Sequence, residues 1–328
     1  LENNLWVNIL EFNGIPGVDD DHNGYVDDIH GYDFVNKEGD PTDDHGHGSH
    51  VAGVIGARED DNQGISGICG NAKIASLKVM NSMNRYLYSD LIAGIDYLLV
   101  NQEISKIANM SLGGTSTTSL LRAAFQDLHD HGILVGVAAM NDGGDLNHSL
   151  DYYPVEYPLD NLIGVASIDS TGFLASNSNY GTSSVDLAAP GVSIYSLNHL
   201  GSYTLRSGTS MAVPHVVGVA ALLSWGQPSW NYQDIRQRIM TSSFENSAIN
   251  DKVGSGGELN AYCAVQGIIP CAGQGVSSLK REEETEMNVT QVGDHIRIKS
   301  PPHSQVKILN ADGQVLKSLE LRTTEGWI

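Results

Sequence analysis

Between residues 72 and 141 the chain alternates short apolar runs with longer segments of helical period. "AKIASLKVM", "KIANMSLG" and "ILVGVAAMN" read as buried strands. "SDLIAGIDYLLV" and the amphipathic "SLLRAAFQDLHDHG", closed by Gly132, read as helices. Strands separated by helices cannot pair as hairpins, so this order predicts an α/β fold with a mostly parallel sheet between helices. Ligands in such sheets bind beyond the carboxyl ends of the strands, where Ser111 and Asn141 fall.

At 328 residues with 41% hydrophobic composition, the chain can bury a substantial core. Its formal net charge of -21 disfavours nucleic acid or an anionic membrane as partner. No apolar run approaches the roughly 20 residues of a membrane span. The chain starts at Leu1 without a signal-like segment, so a processing or cloning boundary is expected there. Cys263 and Cys271 could close a small loop in an oxidising compartment or remain thiols, while Cys69 in "GISGICGNA" reads as a small buried residue.

Residues 1 to about 40, rich in Asp, Asn and Gly, read as a loop region. "HVAGVIGA" begins a helix, and "LIGVASID" is a further strand. "GTSMAVPHVVGVAALLSW" is a long apolar helix buried on most sides, with Pro214 expected in its first turn. Residues 267–287 read as a charged linker. Residues 288–328 read as the start of a small β module, with "DHIRIKS" and "SQVKILNADGQVLKSLEL" as strands and a turn at Asp312-Gly313.

"DPTDDHGHGSHVAG" packs three histidines, His45, His47 and His50, into an H-x-H-x-x-H spacing that could bind metal. A dinuclear hydrolase would want an acid just before the last histidine, where Ser49 stands. "SGTSMAVPH" offers a different chemistry. Ser210 opens a buried helix, where backbone N–H groups and the helix dipole can stabilise an oxyanion.

Taken together, these segments resemble the subtilisin-like serine proteases. "HGSHVAG" matches the family's histidine motif, "SGTSMAVPHVVG" its serine motif and "VAAMN" the segment ending in its oxyanion asparagine. "NMSLGG", "NYG", "VDLAAPG" and "GELNAY" follow in the family's order, so the resemblance covers about residues 1–266, the expected catalytic domain. It implies a three-layer α/β fold and an endopeptidase with Ser210 as nucleophile, His47 as base and Asn141 as oxyanion donor. His45 and His50 become bystanders. Ser111, Leu112, Gly113 and Gly114 would line the substrate pocket, and an extended substrate would pair near "MNRYLYSD". Met140 stands where the family usually has Gly.

The family's aspartate, in an apolar D-[ST]-G strand upstream of the histidine, has no counterpart here. Asp43 and Asp44 are too close to His47, and Asp27, Asp28 and Asp33 lack the apolar lead-in. The expectation is that the first core strand and its Asp lie upstream of this chain. Loss of that Asp costs about 3 × 10⁴ in kcat, so the fragment itself should be nearly inactive. The alternative is a pseudoprotease that binds peptides without cleaving them.

In "GVDDDHNGYVDD", Asp19, Asp21 and Asn23 with the Tyr25 carbonyl and Asp28 suit structural calcium, although His30 at position twelve excludes an EF-hand. "EDDNQGISG" with Asp61 is a weaker second candidate. The resemblance further implies polypeptide substrates, a propeptide, a monomer and a secreted location. The tail segment "VKILNADGQVLKS" is similar to the start of C-terminal sorting domains of Bacteroidetes-type bacteria.

Overall fold

The computed structural model describes residues 1–59, 64–101, 104–148 and 151–271, and the backbone of five strands beyond them. The chain divides into two units, Leu1–Gly275 and Val276–Ile328. Asp61, the linker beyond residue 271 and the Asp312-Gly313 turn lie outside the described residues.

The first unit is built on a six-stranded sheet of order β3-β4-β5-β6-β10-β9. Its strands are β3 (Ile107–Met110), β4 (Leu134–Ala138), β5 (Leu162–Ile168), β6 (Leu187–Pro190), β9 (Phe244–Glu245) and β10 (Gly257–Glu258). All neighbours are parallel except the β10–β9 pair. Every residue of β4 and β5 is buried, as strands covered on both faces must be.

Alternation along β4 shows the two layers. Val135 and Val137 pack with α3 (Tyr88–Val100) and α4 (Ser119–Asp130), while Leu134 and Ala138 pack with α5 (Thr209–Gly226) and α6 (Tyr232–Thr241). Gly136 lets α5 close on the sheet, because a Cβ there would stand 2.6 Å from Val217 Cγ2. By length and composition α5 could cross a membrane, but 61% of it is buried inside the protein. The result is a three-layer α/β fold.

Three findings depart from the sequence reading. The Asp-rich N-terminal region holds helix α1 (Ile9–Phe12), capped by the Asn8 side chain on Leu10 N, and strand β1 (Gly31–Asp33). Pro214 lies beyond the first turn of α5, so its missing N–H deprives the Ser210 carbonyl of its helical partner. Third, β1 pairs in parallel with β2 (Ser76–Lys78) in a sheet of its own.

Between β2 and β3 lies a cavity of about 640 Å³, lined by both strands and by Val51, Ile55, Leu91 and Ile95, with His47 also on its wall. Among the described residues β2 pairs only with β1 and β3 only with β4, so one edge of each strand is left without a partner. All three residues of β2 are only half-buried, unlike those of β4.

An antiparallel hairpin, β7 (Ile194–Asn198) and β8 (Ser202–Arg206), leads into α5. Helix α2 (His47–Gly56) packs against β7 and α5, and α7 (Ala261–Gln266) carries Cys263, which forms a disulfide with Cys271. Cys69 is free and buried. The second unit contains a sheet of β11 (Asn288–Val292), β12 (His295–Lys299) and β15 (Glu325–Trp327), and the pair β13 (Ser304–Leu309) with β14 (Val315–Leu321).

Candidate active site

His47 is the first residue of α2, and the turn before it is held by Asp43. One Asp43 carboxylate oxygen accepts from the backbone N–H groups of His45 and Gly46 at 2.9 and 2.8 Å. The other accepts from Ser49 N and Ser49 Oγ, both at 2.7 Å. Burial works to raise the Asp43 pKa, but the bonds from Ser49, Gly46 and His45 outweigh it and hold the pKa at about 2. Asp43 therefore caps the helix and orients the histidine beside it.

The three histidines have separate surroundings. His50 is fully buried, and its Nε2 donates to the Ile194 carbonyl at 3.0 Å, tying α2 to β7. His45 sits with its ring centroid 6.4 Å from that of His47, and its Nδ1 is buried without a partner. His47 is half-buried in a pocket of about 190 Å³ with Asn141, Arg206, Ser207, Gly208, Ser210 and Met211. Burial first, then the Arg206 charge, lowers its pKa to about 4. Among the described residues no carboxylate hydrogen-bonds to the His47 ring.

Ser210 is the second residue of α5, after Gly208 in a positive-φ conformation of +144° that only glycine adopts easily. Its Oγ donates to the Ser111 carbonyl at 3.3 Å. The Ser111 Oγ donates in return to the Ser210 carbonyl at 2.8 Å, filling the vacancy created by Pro214. Asn141 uses its Oδ1 to accept from Thr209 N at 2.9 Å and Thr209 Oγ1 at 3.3 Å. Its amide Nδ2 is left as a donor for the pocket. Met140 before it has φ +75°, a left-handed backbone in which glycine would carry no strain.

Ser111 and Leu112 also line the larger cavity. Gly113 lies against Met140 and the Tyr153 carbonyl, and Gly114 bridges backbone to backbone with Tyr153. The substrate-pocket residues of the sequence reading thus run from Ser210 toward Tyr153. The segment "MNRYLYSD" enters α3 at Tyr88.

The acidic loop forms a separate centre. Glu11, Asp21 and Asp28 bring carboxylate oxygens within 4.8 Å of one another. Glu11 and Asp28 are buried, and burial above all raises the Asp28 pKa. Asn8 Nδ2 donates to Asp21 and Asp28 at 2.7 and 2.9 Å, Asn23 Nδ2 donates to both at 3.1 and 2.9 Å, and Tyr97 OH donates to Asp28. No ion pair reaches this group among the described residues. An all-oxygen cluster of negative charge without a protein cation suits a hard divalent cation.

Of the five ligands read from the loop, Asp21 and Asp28 converge and Asn23 touches both. Asp19 instead accepts from Asn23 N and Gly24 N, bracing the turn. Tyr25 packs its ring edge-on against Tyr32, Phe34 and Tyr97. Glu11 joins this group although it stands on α1 ahead of the motif, where nothing local marks it as a candidate ligand.

Comparison with known proteins agrees with this architecture. The sequence profile of the subtilase family (Peptidase_S8) matches residues 8–262. Subtilisin-like protease 1 of Plasmodium vivax is 33% identical over 283 residues, covering 81% of this chain and 44% of the relative. Subtilisin DY of Bacillus licheniformis is 37% identical over 215 residues, covering 66% of this chain and 76% of the relative. A solved structure of a cold adapted subtilisin-like serine proteinase superposes with a TM-score of 0.59 at 35% identity, covering 70% of this chain and 78% of that one. The chain spans less than half the length of the Plasmodium relatives.

Proposed function

Because the chain belongs to the subtilase family, we propose that it is the catalytic part of a secreted serine endopeptidase. The observation that carries this reading is one pocket shared by His47, Ser210 and Asn141, with His47 and Ser210 each in the first turn of a helix. Ser210 Oγ attacks the scissile carbonyl while His47 takes its proton. The Asn141 amide and the Ser210 backbone N–H receive the oxyanion, and His47 then protonates the leaving amine. Water hydrolyses the acyl-enzyme by the same route in reverse. Ser111, Leu112, Gly113 and Gly114 hold the substrate backbone on the acyl side.

The histidine needs a carboxylate to fix its tautomer and stabilise its protonated form. The reading assigns this to an aspartate at the end of a parallel strand that fills the cavity between β2 and β3. Both strands offer an unpaired edge to it, and His47 stands on the cavity wall. Its place in the gene is upstream of Leu1. A calcium ion held by Glu11, Asp21 and Asp28, with Asn23, would neutralise the buried carboxylates and has a structural role only. The disulfide between Cys263 and Cys271 is compatible with an extracellular location.

A pseudoprotease is the second reading, favoured by the lack of a carboxylate at the His47 ring among the described residues. Reading the gene upstream of Leu1 separates the two. An in-frame apolar strand ending in Asp-Ser-Gly or Asp-Thr-Gly supports the protease, and another residue in place of that Asp supports the pseudoprotease.

A further inference from the structure

Arg206 closes β8, four residues before Ser210, and its side chain lines the pocket that holds His47, Asn141 and Ser210. It is half-buried. One guanidinium nitrogen donates to the His45 carbonyl at 3.3 Å, while Nε is buried without a partner. No carboxylate lies within ion-pair distance of it among the described residues. That isolation is notable in a chain with 39 acidic and 18 basic residues. A guanidinium in a partly desolvated pocket is stabilised by a carboxylate, which its planar fork matches.

The position of Arg206 fixes which part of a substrate would supply that carboxylate. Ser111 flanks Ser210 on one side through their two mutual hydrogen bonds. Arg206 flanks the histidine turn, where its guanidinium would stand 3.1 Å from a Cβ placed on Gly46. The amine that leaves is the one His47 protonates, so the new amino-terminal product lies on the Arg206 side.

We propose that Arg206 is a specificity-determining residue that selects an acidic side chain immediately after the scissile bond. The proposal rests on the endopeptidase reading. It also accounts for an otherwise unfavourable charge. Arg206 repels the proton that His47 must accept, and a substrate carboxylate that neutralises Arg206 removes this repulsion when the cleft is filled.

The test is a digest of a proteome-derived peptide library by the protein expressed from its whole reading frame, with Ser210→Ala as the blank and cut sites read by mass spectrometry. Asp and Glu directly after the cut should be enriched about fivefold, the upper range for a partly exposed ion pair. Arg206→Gln should bring the enrichment to about one, Arg206→Lys should retain part of it, and 0.5 M salt should weaken it. Ser210-dependent cuts without acidic enrichment, or enrichment that survives Arg206→Gln, overturn the role of Arg206 alone. No Ser210-dependent cuts at all overturn the endopeptidase reading and this proposal with it.

Discussion

Ser111 and Ser210 each donate a side-chain hydrogen bond to the other's carbonyl, at 2.8 Å from Ser111 Oγ and 3.3 Å from Ser210 Oγ. The shorter bond repairs a defect written into the helix, since Pro214 cannot donate to the Ser210 carbonyl. The longer one holds the candidate nucleophile against the end of β3. Sheet and helix thus meet at the candidate nucleophile.

Removing the Ser111 hydroxyl should leave the Ser210 carbonyl unsatisfied and cost about 1–3 kcal/mol of stability. In a Pro214→Ala background the helix can supply its own N–H, so Ser111→Ala should cost less there. Urea unfolding of the two single variants and the double variant measures the coupling, expected to be at least about 0.5 kcal/mol. Strict additivity would show that the two residues are independent.

Asn141 is held by Thr209 through its oxygen, which leaves only its amide to meet an oxyanion. Asn141→Leu in the active protease should therefore lower kcat by about 10²–10³ with little change in KM. Steady-state kinetics on a peptide substrate decide this, and a loss confined to KM would place Asn141 in ground-state binding instead.

The Asp43 cap has a defined pH signature. Its folded pKa of about 2 lies below the ordinary aspartate value of 3.8, so its contribution to stability is complete above the unfolded pKa and is lost as pH falls through about 2. Asp43→Asn should melt below the parent at pH 6, by an amount equivalent to about 1 kcal/mol for a lost cap. The gap should narrow between pH 4 and pH 2. A gap independent of pH across that window would mean the carboxylate charge contributes nothing.

Calcium should raise the melting temperature of the chain and EDTA should lower it, with about 2.7 kcal/mol of stabilisation expected at a hundredfold excess over Kd. Glu11→Gln should remove most of this response, whereas Asp19→Asn should weaken it only through the turn it braces. Equal responses in Glu11→Gln and the parent would exclude the Glu11, Asp21 and Asp28 cluster as the site.

The alternation of apolar runs made the strands and helices from residue 72 onward legible, because period and length are local properties. The motifs around Ser210, His47 and Asn141 single them out as candidates in the sequence. Glu11 is not singled out, since its approach to Asp21 and Asp28 depends on where α1 lies in the fold. Asp43 was weighed only as a triad member, and its four hydrogen bonds to the helix start emerge only once the turn has closed. The bond that compensates for Pro214 comes from a residue 99 positions earlier in the chain, which no local pattern can announce.

The central claim is that Ser210 and His47 form one acylating device completed by a carboxylate from the cavity between β2 and β3. The most direct measurement is the rate of fluorophosphonate labelling at Ser210, mapped by mass spectrometry. It would compare the chain alone with the chain extended upstream through an apolar strand ending in Asp, and with the same extension ending in Asn. The account predicts Ser210 as the labelled residue and acceleration by the Asp form, up to about 10⁴-fold over the Asn form. Equal rates for the Asp and Asn extensions, or labelling that ignores Ser210, would contradict it.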